Sequence, residues 1–345
     1  MVTIKEIARL TGVSTATVSN VLNGKPGAAS AAKAREITNL ASDLNYMPNI
    51  HARNLQQQKT NTIGIITEDL TVFNTPEIVD GIDAYCEENG YEIILENMRL
   101  FKRYNNDFTD TPKHHALLDS MMRNIIAKQV EGVVYVGYHC REITYLPPRV
   151  QVPFVYAYCY PKEEIYPSVL FDDEKAAKDV TEKLIAKGHR HIGVICGPAT
   201  SYHTQMRLKG YKSALTEQGI KAKSSLVVYG DWERPSGYHL AGILLDKKVS
   251  AIFSFNDLMA SGVYERAAEQ GMQIGEDISL FGFDNRDISQ GYIPALSTVQ
   301  PPLSEIGRRS AEIVLNQIKH HRSGKKRIYI PCEILERRSV GAWRK

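Results

Sequence analysis

The chain has only five cysteines in 345 residues, Cys86, Cys140, Cys159, Cys196 and Cys332. Their number is odd and no Cys-x-x-Cys pair occurs, which excludes a disulfide framework and the common zinc-cluster and dithiol motifs. They read as reduced, packed thiols. No apolar run approaches the roughly 18 residues that a membrane-spanning helix needs. The opening residues MVTIKEIARL lack the apolar core of a secretory signal, so a cytoplasmic protein without a membrane partner is expected. Catalytic signatures are missing as well: no phosphate-binding P-loop, no Gly-x-Ser-x-Gly elbow and no His-Glu-x-x-His. No enzymatic activity, cofactor or metal is therefore expected. The adjacent acids Asp172 and Asp173 read as a helix cap rather than a catalytic pair. His114 and His115 read as part of a solvated loop rather than as metal ligands.

What is present is enough apolar residue, 43%, for two or three separate cores, with 23% charged residues to keep their surfaces wet. The net charge of +3 is unevenly placed. Residues 1–60 hold seven Lys or Arg (Lys5, Arg9, Lys25, Lys33, Arg35, Arg53, Lys59) against three acids (Glu6, Glu36, Asp43), so the basic excess sits at one end, as a partner rich in phosphate would require. That end predicts three short helices. Thr3 and Glu6 have capping-box spacing, and Gly12 ends the first helix. Ser14 can cap a second helix and Ser30 a third, the latter with Ile37, Leu40, Ala41 and Leu44 on one face. Pro48 stops regular structure. A short helix, a glycine turn and a second short helix make a helix-turn-helix. Val13, Val18 and Val21 or Leu22 would pack inside. Thr15, Ala16 and Asn20 would face outward, where Thr15 and Asn20 can bond base edges and Ala16 can meet a thymine methyl.

From Thr62 onward short apolar runs alternate with amphipathic helices. Strands are predicted at 63–67, 92–95, 132–136, 154–157, 192–196, 226–229, 251–255 and 278–283. Helices are predicted at 76–89, 174–187, 207–218, 258–270 and 303–321. This alternation implies parallel sheets covered by helices on both faces, and so many strands suit two lobes. The run beginning Thr62-Ile63-Gly64 is echoed by His191-Ile192-Gly193, and each is followed by a loop, a helix and a glycine (Gly90, Gly219). The polar stretch Arg99–His115 reads as a long surface loop.

The sequence resembles the LacI/GalR family of bacterial regulators. The resemblance is carried by Thr3-Ile4-Lys5-Glu6-Ile7-Ala8, Gly12-Val13-Ser14, Thr17-Val18-Ser19, Val21-Leu22-Asn23, Asn45-Tyr46, Pro48-Asn49, Ala52-Arg53 and Leu55. It runs nearly end to end and closes with Glu336-Arg337-Arg338-Ser339. It implies an α/β protein: an all-α helix-turn-helix headpiece joined to a two-lobed, periplasmic-binding-protein-like sensor with parallel sheets. The expected division is a headpiece at 1–48 and a hinge helix with linker at 49–61. A first sensor lobe would be built from 62–161 and 292–324, and a second from 162–291 and 325–345. The expected function is that of a transcription regulator, a repressor, acting as a homodimer on double-stranded operator DNA. Its DNA contacts would be Thr3, Lys5, Ser14, Thr15, Ala16, Thr17, Asn20, Asn23, Tyr46, Asn49, Arg53 and Leu55. Leu55 would be a minor-groove wedge.

The effector is expected in the crevice at the carboxyl ends of the parallel strands, contacted by Phe73, Asn74, His203, Arg207, Trp232, Asn256 and Asp284. A flat aromatic face with Asp, Asn and Arg groups suits a sugar's C–H face and paired hydroxyls, so a small, sugar-like effector is expected. Asp257 reads as a helix cap. The sequence departs from the family pattern in a loop, Gly24–Ala29, that is one residue longer than usual. It also lacks the usual Val-Ser-x-x-Thr-Arg entry to the third helix, and its 99–115 segment is longer.

Overall fold

The computed structural model describes residues 2–46, 59–104, 111–145, 150–163, 165–320 and 326–343. The chain divides into two compact units, Met1–Thr60 and Asn61–Lys345.

In the first unit, helices Ile4–Thr11, Thr15–Leu22 and Ala31–Asp43 close on Ile7, Val18 and Ile37, all fully buried, with Ala8 and Ala41 between them. Gly12 ends the first helix at φ 67°, a left-handed turn that other residues enter at a cost. Ser14 caps the second helix by accepting from the Thr17 amide at 3.0 Å, and Ser30 caps the third from Lys33 at 3.3 Å. The expected Thr3–Glu6 capping box does not form. Thr3 makes no side-chain cap bond, and only its backbone carbonyl serves the first turn.

The second unit is built on two parallel sheets. The first has six strands in the order Arg327–Ile330, Ser168–Phe171, Phe154–Ala157, Gly132–Val136, Thr62–Thr67 and Glu92–Asn97. The second has four, in the order Ser279–Phe281, Ala251–Ser254, Ile192–Cys196 and Val227–Tyr229. Their inner strands are runs rich in β-branched and aromatic residues buried on both faces, as parallel sheets between helices require, while the edge strands Glu92–Asn97, Val227–Tyr229 and Arg327–Ile330 are partly exposed. The sequence echo has a structural counterpart. Thr62–Thr67 and Ile192–Cys196 hold the same place, each between the strand that follows it and the strand after that. Gly64 and Gly193 occupy the same position in each. A Cβ there would lie 2.6 Å from Ile125 and 2.9 Å from Leu244, so each glycine admits a side chain of a covering helix.

The lobe limits expected at 162 and 325 need correction. Ser168–Phe171 and Arg327–Ile330 lie beyond those limits, yet both join the first lobe's sheet. The chain crosses between lobes after Phe171, after the Thr298–Gln300 strand and after Ile330. An antiparallel pair, Thr298–Gln300 with Glu333–Leu335, lies at the crossings. The loop expected at 99–115 is also revised. Leu100–Tyr104 is a short helix with Leu100 buried, and a long helix, Pro112–Ala127, begins inside the segment and buries His114. The strand ends hold the segment in place, since the Phe101 amide bonds Asp69 and the Arg99 amide bonds Asn97. Residues 105–110 lie outside the described residues. A further helix, Arg234–Asp246, was not predicted, and the Tyr202–Glu217 helix starts five residues before the expected Arg207.

The terminal Glu336-Arg337-Arg338-Ser339 motif stitches the chain end into the second lobe. Arg337 donates to Asn285, Ser289 and the Leu296 carbonyl, and Ser339 bridges Ser297 and Leu280. All five cysteines are free. No helix among the described residues is long and apolar enough to cross a membrane.

Candidate functional site

Two surfaces carry the residues singled out in the sequence. In the first unit, the helix Thr15–Leu22 turns Val18 into the core and leaves Thr15 and Ala16 exposed and Asn20 half-buried at its outer side. Thr3, Lys5, Ser14 and Asn23 are exposed. Three of the expected contacts have structural bonds as well. Ser14 Oγ and Thr17 Oγ1 lie 2.9 Å apart within the cap, and Asn23 donates to Ser19. Tyr46 packs on the three-helix core. Asn49, Arg53 and Leu55, with the expected hinge helix, lie outside the described residues.

The second is a cluster where the two lobes touch, built around the buried Arg207. Its helix runs against Asp173–Ala186 so closely that a Cβ on Gly210 would stand 2.0 Å from the Glu174 carbonyl. That approach brings Arg207 onto Asp173, at the start of the neighbouring helix. Arg207 Nε donates to Asp173 Oδ1 at 2.7 Å, and Nη1 donates to the Phe255 carbonyl. The guanidinium lies over Phe283, 3.4 Å from the ring centroid, with the Trp232 ring centroid 5.9 Å away. His203, one turn earlier, donates from Nδ1 to Asp173 Oδ2 at 2.8 Å. Burial raises the Asp173 pKa, but the His203 and Arg207 charges and hydrogen bonds outweigh it and hold the carboxyl below its usual range.

Trp232, at φ 75°, is fixed from two sides. Its carbonyl accepts from Asn256 Nδ2 at 2.8 Å, and its indole lies over Gly197, where a Cβ would come within 2.1 Å of the ring. Asn256 also caps the helix Asp257–Glu269 through the Met259 amide. Asn256, not Asp257, is therefore the cap; Asp257 bonds Thr298 and the Arg286 amide instead. Asp284, at φ 105°, has a half-buried carboxyl with no hydrogen-bond partner among the described residues. Burial drives its pKa up to about 8, against the pull of Arg207. Tyr158, Trp232 and Asp284 all hold positive φ angles at this one site, a local concentration of backbone strain.

The structure thus gathers Arg207, Trp232, Asn256, Asp284 and His203 at the strand ends of the second lobe. Phe73 comes from the first lobe and reaches the same rim, where Arg286 lies 4.4 Å from its ring centroid. Asn74 is buried and donates to the Tyr138 carbonyl, leaving its Oδ1 without a partner. The expectation for His203 is changed: its second nitrogen, Nε2, is 3.0 Å from Tyr158 Oη, so both ring nitrogens are engaged by protein. Sequence reading missed Asp173, which it took for part of a cap. Asp172 is the cap, accepting from the Lys175 amide, and Asp173 turns inward. It also missed Tyr158 and His139, which lie just past two first-lobe strands and carry no motif. The one signal available was their place at the carboxyl ends of parallel strands.

A separate small cavity of about 30 Å³ lies inside the first lobe among Glu68, Arg141, Tyr135, His114 and Tyr145. That is room for a water or two, too little for an effector. Among the described residues no group of three or more His, Cys, Asp or Glu is placed to hold a metal ion.

The amino-terminal unit matches the description "Bacterial regulatory proteins, lacI family" over residues 3–49, and residues 181–340 match "Periplasmic binding protein-like domain". The HTH-type transcriptional repressor PurR of Vibrio atlanticus (strain LGP32) is 31% identical over 99% of both chains. The chain belongs to the lacI family of bacterial regulatory proteins. It is a DNA-binding regulator and not an enzyme. Among solved structures, the Lac repressor bound to ONPG in the repressed state superposes with a TM-score of 0.79 at 25% identity, covering 98% of this chain and 99% of that one. The transcriptional regulator CelR in complex with cellobiose gives 0.65, also at 25% identity, over 98% of this chain and all of that one.

Proposed function

We propose that this lacI-family chain is a cytoplasmic, homodimeric transcriptional repressor whose hold on operator DNA is set by a sugar-like effector in the interlobe crevice. One observation carries the choice of effector class. Residues that follow parallel strands in both lobes carry polar groups that the protein leaves unsatisfied. They are Asn74 Oδ1 and Thr75 Oγ1 in the first lobe and Thr204 Oγ1 in the second, all buried, and the half-buried Asp284 has no hydrogen bond to its carboxyl among the described residues. Buried polar atoms are costly unless something bonds them. A polyhydroxylated ligand supplies both donors and acceptors, and its C–H face suits an indole. Asn256 carries less weight, because its amide is occupied with the cap and with Trp232. The complex of CelR with cellobiose gives the reading a precedent in the same fold.

Homodimer formation is supported by apolar residues left in solvent on the second lobe. Ile293 is 95% exposed and Ile288 43%. A dimer would read a near-palindromic site, since one headpiece contacts only a few base pairs.

The test is a thermal-shift screen of neutral mono- and disaccharides against nucleosides and nucleobases on the full chain. A sugar that raises the melting temperature, and loses that effect in Asp284→Ala, supports the reading. A response to nucleobases alone overturns the sugar assignment and leaves the repressor standing. Gel shifts on genomic fragments test the repressor itself.

A further inference from the structure

The first turn of the Tyr202–Glu217 helix touches the first lobe at three consecutive residues. Ser201 Oγ lies 3.0 Å from His139 Nε2, Tyr202 Oη lies 3.4 Å from Tyr329 Oη, and His203 Nε2 lies 3.0 Å from Tyr158 Oη. Ser201 stands at the helix's N-cap position in extended conformation, yet its hydroxyl makes no cap bond. The hydroxyl that would cap the helix is committed to the other lobe instead. One turn further on, the same helix carries Arg207. A single rigid element therefore holds both the main cation of the effector site and the fastening between the lobes.

His139 is the unusual member of this fastening. It sits in the loop after the Gly132–Val136 strand, and that loop is anchored by Glu68, which accepts from the Tyr138 amide, the Tyr135 hydroxyl and Arg141. From its own loop His139 faces Tyr138 and Arg141. From the second lobe it faces Ser201, His203, Arg207 and Trp232, with ring centroids 4.5 Å from His203 and 6.2 Å from Trp232. The carboxylates nearby are already assigned: Glu68 to Arg141, and Asp173 to Arg207 and His203. His139 has the cations Arg207 and Arg141 near it and no anion of its own, while burial holds its neighbour His203 below the usual histidine range. Burial, then His203, Arg207 and Arg141, all push its pKa well below the usual 6.5.

We propose that His139 is a proton-operated bolt between the lobes: neutral, it ties the first lobe to Ser201, and protonated, it is repelled by Arg207 and Arg141, so that the lobes separate. The inference rests on the crevice as the regulatory site but not on which effector fills it. The direction follows from linkage. With the lobes apart His139 is solvated and titrates near 6.5, whereas with the lobes closed it resists protonation. Below about pH 6.5 the closed arrangement therefore loses up to about tenfold in population per pH unit. Asp284 and Asp257, whose pKa values are raised to about 8 and about 7, favour the compact arrangement as pH falls. Their effect is common to all the proteins compared below and cancels in the difference.

The test uses the full chain with Trp343→Phe, which leaves Trp232 as the one tryptophan of the two in the sequence. Trp232 emission and the radius of gyration from X-ray scattering are followed from pH 8 to pH 5. The expected result is a red shift with expansion as the pH falls through about 6. His139→Gln, which can still bond Ser201, removes that transition. Ser201→Ala, which weakens the fastening and leaves the titrating group, moves its midpoint to higher pH. Parallel pH curves for the parent and His139→Gln, or an unchanged midpoint in Ser201→Ala, overturn the proposal. If His139→Gln fails to fold by circular dichroism, the Ser201→Ala midpoint decides alone. None of these readouts involves an effector, so failure here leaves the sugar assignment untouched, and a failed sugar screen leaves the bolt untouched.

Discussion

Asp173 shows how much one carboxylate can organise. It is 3% exposed and holds both Arg207 and His203, so the charge of the buried arginine is balanced within the protein itself. Removing it leaves a buried guanidinium without a counter-ion, which costs about 3–5 kcal/mol in comparable buried pairs. Asp173→Ala is expected to lose that much stability in urea unfolding, and a loss below about 1 kcal/mol would mean that water already reaches Arg207. Asp284 behaves in the opposite way. Its pKa in the folded chain is about 8, above the ordinary 3.8, so folding takes up a proton between those values. Its contribution therefore becomes more favourable as pH falls from about 8 towards 4, by up to about 1.4 kcal/mol per pH unit. Asp284→Asn should flatten the stability–pH curve in that window relative to the parent. Parallel curves for the two proteins would show that Asp284 is ionised at neutral pH.

At the scale of elements, the two helices Asp173–Ala186 and Tyr202–Glu217 act as one part because Gly210 lets them touch. Gly210→Ala would place a methyl 2.0 Å from the Glu174 carbonyl. The helices must then separate, at a cost of about 1–3 kcal/mol as for other overpacked contacts, and the Arg207–Asp173 bond lengthens. The expected outcome is a lower melting temperature together with weaker effector binding. A variant that melts lower yet binds normally would place Arg207 outside the effector site.

The same elements show what the sequence makes legible. Gly132–Val136 and Ile192–Cys196 are uninterrupted apolar runs, and period alone finds them. Ser168–Phe171 is four residues long, and Arg327–Ile330 begins with an arginine and includes an exposed tyrosine, so neither stands out, and with them goes the true lobe boundary. The helix Pro112–Ala127 was hidden behind the polar residues that precede it. Arg207, Trp232 and Asp284 stood out in the sequence because their residue types suit a ligand. Asp173 and His139 were missed because what they do depends on partners 34 and 62 residues away, which no local pattern records.

For the whole molecule, the reading as a repressor implies that two distant sites share one free energy. An effector that prefers one lobe arrangement changes operator affinity only as far as its affinity differs between the arrangements. We expect the link to run through the segment 49–57, which joins the headpiece to the first lobe in sequence. The interlobe fastening at Ser201, Tyr202 and His203 would set the lobe arrangement that this segment senses. By reciprocity, saturating operator must shift effector affinity by the factor by which effector shifts operator affinity, typically 5- to 150-fold. Calorimetric titration of the effector identified by the thermal screen, with and without operator, measures this directly. Leu55→Ala should weaken operator binding while the free protein still takes effector. Asp284→Ala should abolish the effector response and leave operator binding without effector near normal. Tyr158→Phe, which removes one interlobe bond, should change the coupling factor more than either affinity alone. Equal effector affinities with and without operator would mean the sites are independent, and the crevice would then be a binding site without a switch.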